Sequence, residues 1–181
     1  MIKQYFSIDA KYYLNIFLEC AANLKDWAGD GDKQYTGPIP SQSDGLHQMA
    51  RGLAFVHNNH HVHRDICPAN ILISLHGDRL IISDFGLCKQ VHESGSYSVS
   101  NVNGQEQWLA PERMTNRFDS EYRVTIISDT WAMGCVFYYF ITRGSHPFHN
   151  TDWTIMQNNI LEGNCNLNSE SYLFESLTAS S

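Results

Sequence analysis

His63-Arg64-Asp65-Ile66-Cys67-Pro68-Ala69-Asn70 lies in the first half of this chain, and Asp84-Phe85-Gly86 and then Ala110-Pro111-Glu112 follow it in order. The residue types at these places share one chemistry. Asp65 can accept the proton of a hydroxyl, while Asn70 and Asp84 offer hard oxygen atoms to cations that bridge phosphates. A bare His-Arg-Asp tripeptide carries no weight. Three ordered motifs at these intervals make coincidence a poor competitor.

Composition narrows the field further. The 181 residues suffice to bury a full core. A formal net charge of -7 argues against a nucleic-acid-binding surface as the main activity. Cys20, Cys67, Cys88, Cys135 and Cys165 are scattered and form no Cys-x-x-Cys pair, a pattern of reduced intracellular thiols. Lys3, Gln4 and Asp9 speak against a secretory signal, and the apolar run 131–141 is too short to span a bilayer.

The pattern of apolar residues predicts a mostly helical unit with a little sheet. Residues 12–20 read as a strand, 24–27 as a short helix, and 41–57 as a helix with Leu46, Met49, Ala50, Leu53 and Val56 on one face. Residues 71–74 and 79–83 flank His76-Gly77-Asp78 as a small hairpin. Residues 129–142 are apolar almost all round and predict a buried helix stopped by Gly144, with Phe137-Tyr138-Tyr139-Phe140 as core. Residues 151–161, ahead of Gly163, predict a last amphipathic helix. Two polar stretches, 29–43 and the serine-rich 93–104, read as long loops. His57, His60, His61 and His63 run past a helix end, so turn and loop packing fits them better than a metal cluster.

The three motifs resemble those of protein kinases, and four further stretches narrow the resemblance. These are Cys20-Ala-Ala-Asn-Leu24, Asp84-Phe-Gly-Leu-Cys-Lys89, residues 129–148 ending in Gly-Ser-His-Pro-Phe148, and Asn159-Ile-Leu-Glu-Gly163. Together they are similar to the inositol-requiring kinase/endoribonucleases, sensors of unfolded protein in the endoplasmic reticulum. The resemblance runs from about residue 5 to 167. It implies an α+β, protein-kinase-like fold, mostly the helical carboxy-terminal lobe (20–181) with a remnant of the amino-terminal sheet (1–19). Neither a Gly-x-Gly-x-x-Gly loop nor a Val-Ala-Ile-Lys strand is present, since Gly29 and Gly31 are followed by Gln34 inside a polar turn. The expectation is a partial kinase domain without the family's ribonuclease extension.

Residue by residue, the resemblance implies these roles. Asp65 is the catalytic base, Asn70 and Asp84 hold Mg2+, and Arg64 pairs with a phosphorylated activation loop. Phe17 is a gatekeeper, and Leu18, Cys20, Cys67 and Leu72, with Asn70 and Asp84, border the ATP site. Asp129 accepts hydrogen bonds from the catalytic-loop backbone. Glu112 pairs with an arginine of a later helix that lies beyond this chain, leaving the isolated chain marginal. Ser96, Ser98 and Ser100 are candidate autophosphorylation sites within a dimer of the parent protein. That parent would sit in the endoplasmic-reticulum membrane with this segment on the cytosolic face, bound to the membrane only through other parts and making no direct contact with nucleic acid.

Two residues depart from the family. Serine/threonine kinases carry a lysine two places after the catalytic aspartate, where this chain has Cys67. The family carries a threonine after the glycine corresponding to Gly104, where this chain has Gln105. Both losses fall on one hydrogen-bond set and predict weaker stabilisation of the transferred phosphoryl group. Two readings follow: a serine/threonine kinase domain, or a catalytically impaired, pseudokinase-like module that binds partners.

Overall fold

The computed structural model describes residues 6–9, 13–16, 20–90, 96–98, 105–115 and 123–167, with 6–9, 13–16, 96–98 and 123–124 described as backbone alone. Strands β1 (Phe6–Asp9) and β2 (Tyr13–Ile16) form an antiparallel pair. The strand predicted over 12–20 therefore corresponds to β2 and the start of a separate β3 (Cys20–Asn23). Strand β3 runs antiparallel to β5 (Ile71–Ser74), which pairs in turn with β6 (Leu80–Ile82).

Asn23 ends β3 and starts α1 (Leu24–Ala28) through a reciprocal cap. Its side chain accepts the Asp26 N–H at 3.0 Å, and the Asp26 carboxylate accepts the Asn23 N–H at 3.2 Å. Asp26 also accepts the Lys33 N–H at 3.2 Å, and the Tyr35 hydroxyl donates to the Pro38 carbonyl at 2.7 Å. The first polar stretch is thus a hydrogen-bonded turn and not a free loop.

Helix α2 (Gln42–Asn58) begins at Ser41, whose hydroxyl accepts the Asp44 N–H at 3.2 Å. Gly45, Met49, Leu53 and Val56 recur every three or four residues, so they share the buried face. A Cβ on Gly45 would meet the Phe140 ring at 2.5 Å, which explains glycine there. It lets α2 pack closely on α4 (Ile126–Thr142). Gln48, on the same helix, grips the hairpin. Its Oε1 accepts the Leu80 N–H at 2.7 Å and its Nε2 donates to the Asp78 carbonyl at 3.1 Å.

Helix α4 is buried along most of its length, through Asp129, Met133, Val136, Tyr139 and Phe140 among others. It begins at Ile126, three residues before the predicted 129, and Ile127 in that added turn is 68% exposed, while within 129–142 Thr130 and Gly134 are exposed. The helix ends at Thr142, as predicted, with Arg143 as its left-handed cap at φ 54° and Gly144 following at φ 121°. The Arg143 guanidinium lies 5.1 Å from the Trp27 ring, which itself packs on Phe140. Helix α5 (Trp153–Glu162) is closed by Gly163, as its sequence predicts, and starts two residues later than the predicted 151, with Asp152 as its cap. One core joins α2, α4 and the hairpin around Leu24, Met49, Ile71, Ile73, Val136 and Phe140. Each such fully buried side chain contributes on the order of 1.5–3 kcal/mol.

The short elements complete the frame. Strands β4 (His61–Val62) and β7 (Lys89–Gln90) pair, and β8 (Ser96–Ser98) pairs with β9 (Arg123–Thr125). The serine-rich stretch thus contains a strand. Helix α3 (Pro111–Thr115) holds Glu112, which accepts the Ser128 hydroxyl at 2.7 Å. The expectation that Glu112 stands unpaired within this chain is corrected by that bond. Among the described residues, no helix is long and apolar enough to cross a membrane.

Candidate active site

The loop between β4 and β5 is held from below by one buried carboxylate. Asp129 lies in the first turn of α4 and is 2% exposed. Its Oδ2 accepts the His63 N–H at 2.7 Å and its Oδ1 accepts the Arg64 N–H at 2.9 Å. His57, at the end of α2, adds its Nε2 to Oδ2 at 3.1 Å. Helices α2 and α4 therefore meet on this loop. Arg64 adopts φ 75°, a left-handed conformation that a non-glycine residue rarely takes, and these bonds stabilise it. The Arg64 carbonyl accepts Arg113 Nη1 at 3.0 Å.

His63 is fully buried and faces two ways. Its Nδ1 accepts the Asp65 N–H at 3.3 Å, which leaves Nε2 to donate to the Ser83 carbonyl at 2.9 Å. Its ring meets Phe85 edge-on, with centroids 4.9 Å apart. The histidines predicted as turn and loop packing thus serve separate bonds, including His61 Nδ1 against the Asn59 carbonyl at 2.6 Å.

Asp65 and Asn70 come together. Asn70 Nδ2 donates to the Asp65 carbonyl at 2.8 Å and to Asp65 Oδ2 at 2.9 Å. That side chain folds back over a 3-10 turn, Pro68–Asn70, so its amide orients the carboxylate. The hairpin carries the second oxygen ligand into place. Ser83 donates its N–H at 2.9 Å and its hydroxyl at 3.0 Å to the Asn70 carbonyl, which sets Asp84 beside Asn70. Asp84 is left-handed at φ 61° and exposed, with the Gly86 N–H on its Oδ1 at 3.3 Å.

The two departures from the family touch each other. Gln105 Nε2 donates to Cys67 Sγ at 3.3 Å. Cys67 is fully buried, and burial, followed by the charge of Asp65, pushes its thiol up to about 11. The residue is uncharged at neutral pH. A neutral thiol and a neutral amide occupy the place expected for an ammonium and a hydroxyl. The resemblance placed both residues on one hydrogen-bond set, and the bond between them agrees with that expectation. Arg113, directly after Ala-Pro-Glu, was missed; its position beside that motif was the available signal.

The remaining predicted residues divide. Cys20 on β3 and Leu72 on β5 lie on hydrogen-bonded strands of one sheet, with Asn23 in register with Leu72. Phe17, Leu18 and Ser100 lie outside the described residues. Ser96 and Ser98 stand in β8, in register with Thr125 and Arg123.

The donor set suits Mg2+. That ion takes oxygen ligands and is commonly held by one or two carboxylates together with substrate phosphates. Asp84 supplies a carboxylate. Asn70, whose amide nitrogen is turned to Asp65, supplies an amide oxygen.

Comparison with known proteins agrees with this geometry. The protein kinase domain family matches residues 1–178. The serine/threonine-protein kinase/endoribonuclease ireA of Aspergillus fumigatus is 33% identical over 92% of this chain and 17% of its own length. Its counterpart IRE2 of Homo sapiens is 39% identical over 80% of this chain and 16% of its own length, and ire-1 of Caenorhabditis elegans is 37% identical over 82% and 15%. The chain thus spans about a sixth of the length of these relatives. The chain belongs to the protein kinase domain family, and these three relatives are named as serine/threonine-protein kinase/endoribonucleases.

Proposed function

We propose that this segment transfers the γ-phosphate of ATP to serine or threonine hydroxyls, including those of a second copy of its own parent protein. The observation that carries this reading is the Asn70 amide at 2.9 Å from Asp65 Oδ2. It orients a carboxylate whose Oδ1 takes no hydrogen bond among the described residues. Asp65 accepts the hydroxyl proton as the serine oxygen bonds to phosphorus and the bond from the γ-phosphorus to the β–γ bridging oxygen breaks, leaving ADP. Asn70 and Asp84 hold Mg2+, which supplies charge neutralisation at the phosphate oxygens when bound. Leu18, Cys20, Cys67 and Leu72 border the nucleotide.

Arg64 is buried against Asp129, so in this reading it responds to a phosphorylated loop through that backbone clamp as well as through its side chain. Ser96, Ser98 and Ser100 receive the phosphate. The parent protein, by its resemblance to kinase/endoribonucleases, dimerises and places this segment on the cytosolic side of the endoplasmic-reticulum membrane. Incubation with Mg-ATP followed by mass spectrometry of the serine segment tests the reading. Asp65→Asn should lower the transfer rate by roughly 10²–10⁴-fold, the usual share of a positioned base. Equal incorporation by the wild type and Asp65→Asn would overturn it and favour the impaired binding module, to which the neutral Cys67–Gln105 pair would be suited.

A further inference from the structure

A cavity of about 470 Å3 lies between α1, residues 107–108 and the loop after α4, outside the catalytic constellation. Lys25, Gln107, Trp108, Tyr139, His146 and Trp153 line it. Trp108 also borders the small recess around Asp65 and Gln105, so one indole separates the cavity from the catalytic loop. Lys25 is half-buried, and its ammonium makes no hydrogen bond or ion pair among the described residues. A half-buried cation without a counter-ion forfeits hydration for no return unless an anion completes it.

The other groups on the wall leave that role open. The Asp30 carboxylate accepts the Tyr139 hydroxyl at 2.8 Å and forms no ion pair with Lys25 among the described residues. Burial holds His146 down to about 4, so it adds no positive charge at neutral pH; the Gln107 backbone opposes that shift without completing a hydrogen bond. Trp108 Nε1 and His146 Nε2 are buried with no hydrogen-bond partner, two more polar groups whose needs the chain itself does not meet.

We propose that this cavity is a substrate subsite for an anionic side chain, a carboxylate or a phosphate monoester, with Lys25 as its counter-ion. The subsite rests on the phosphoryl-transfer reading, because its occupant belongs to the polypeptide being phosphorylated. A second copy of this chain offers such an occupant: Glu93 directly precedes the series Ser94, Ser96, Ser98 and Ser100. Phosphorylation of the first serine would supply the same chemistry to the next.

Fluorescence anisotropy with a labelled peptide of residues 90–102 tests this on the full chain, without ATP. Three peptides serve as probes: the parent sequence, its Glu93→Gln form, and the form phosphorylated on Ser94. Lys25→Gln should weaken binding of the parent and phosphorylated peptides about tenfold and leave the Glu93→Gln peptide unchanged. Lys25→Arg should keep the preference, and Lys25→Glu should restore binding to a Glu93→Lys peptide, which shows that the variants fold. A gain confined to one of the two anionic peptides assigns the site to carboxylate or to phosphate. Equal losses for acidic and neutral peptides, or none, overturn the subsite. A parallel incubation of the same peptides with Mg-ATP separates the two readings: charge-selective binding with no phosphorylation of any peptide there upholds the subsite and overturns the transfer reading instead.

Discussion

The two oxygen-bearing arms of the active site are built differently. The arm that carries Asp65 is fastened by a buried carboxylate with three hydrogen bonds and by Asn70 from above. The arm that carries Asp84 is exposed, with the Gly86 N–H on its carboxylate and Phe85 49% open to solvent. In the proposed reading, the difference teaches how the work divides between Asp65 as base and Asp84 as metal ligand. Proton transfer needs geometry fixed before substrate arrives, since a misplaced base loses the advantage of orientation. Metal coordination is completed by the phosphates themselves, so its protein ligands can await them.

The sharpest way to break the comparison is to remove one carboxylate from each arm. Asp129→Ala leaves two buried N–H groups without an acceptor and should cost roughly 3–5 kcal/mol. Asp84→Ala should stay within about 0.5 kcal/mol, as exposed positions usually do. Urea denaturation of both variants checks this. Equal losses would mean that the Asp84 arm is as structural as the other.

How far the fastened region extends can be read from pH. His146 packs on Trp108 at 4.6 Å, and burial lowers its imidazolium from 6.5 to about 4. The unfolded chain therefore takes up a proton there before the folded one. Stability from this group is complete above pH 6.5 and is lost as pH falls through about 4, amounting to roughly 3 kcal/mol. Thermal melts at pH 7, 5.5 and 4 should show that decline, and His146→Phe should flatten it. An identical decline in His146→Phe would place the linkage on other groups.

The smallest expected effect concerns the neutral pair. The double variant Cys67→Lys with Gln105→Thr should raise the phosphoryl-transfer rate about tenfold. That lies below the 10²–10³ of a fully preorganised donor, because the ammonium enters a buried place. Single-turnover kinetics decides it, and an unchanged rate would show that another cation already serves that position.

Much of this was legible in the sequence, for identifiable reasons. That Asp65 and Asn70 come together could be read because the proposed chemistry demands particular atoms at particular intervals. The hairpin and the helices could be read from burial periodicity and from Gly163. The β8 strand could not, because serines in alternation look the same in a loop or in a pair, and only Arg123–Thr125 decides between them. The Cys67–Gln105 contact could be anticipated only through the resemblance, because a thiol and an amide separated along the chain carry no pattern of their own that requires them to meet. Gln48 was equally silent, since a glutamine on a helix reads as surface until the hairpin arrives beside it.

The grip of Asp129 on the catalytic loop also has a meaning in time. The amide protons of His63 and Arg64 are bonded to a buried carboxylate that bridges from the end of α2 to the start of α4. No local opening frees them without separating those helices. Their exchange with deuterium should follow the unfolding of the whole lobe, while the Gly86 amide, on an exposed carboxylate, exchanges through local fluctuation. The loop that carries Asp65 would then be among the slowest parts of the molecule to open, and its clock would be that of global unfolding.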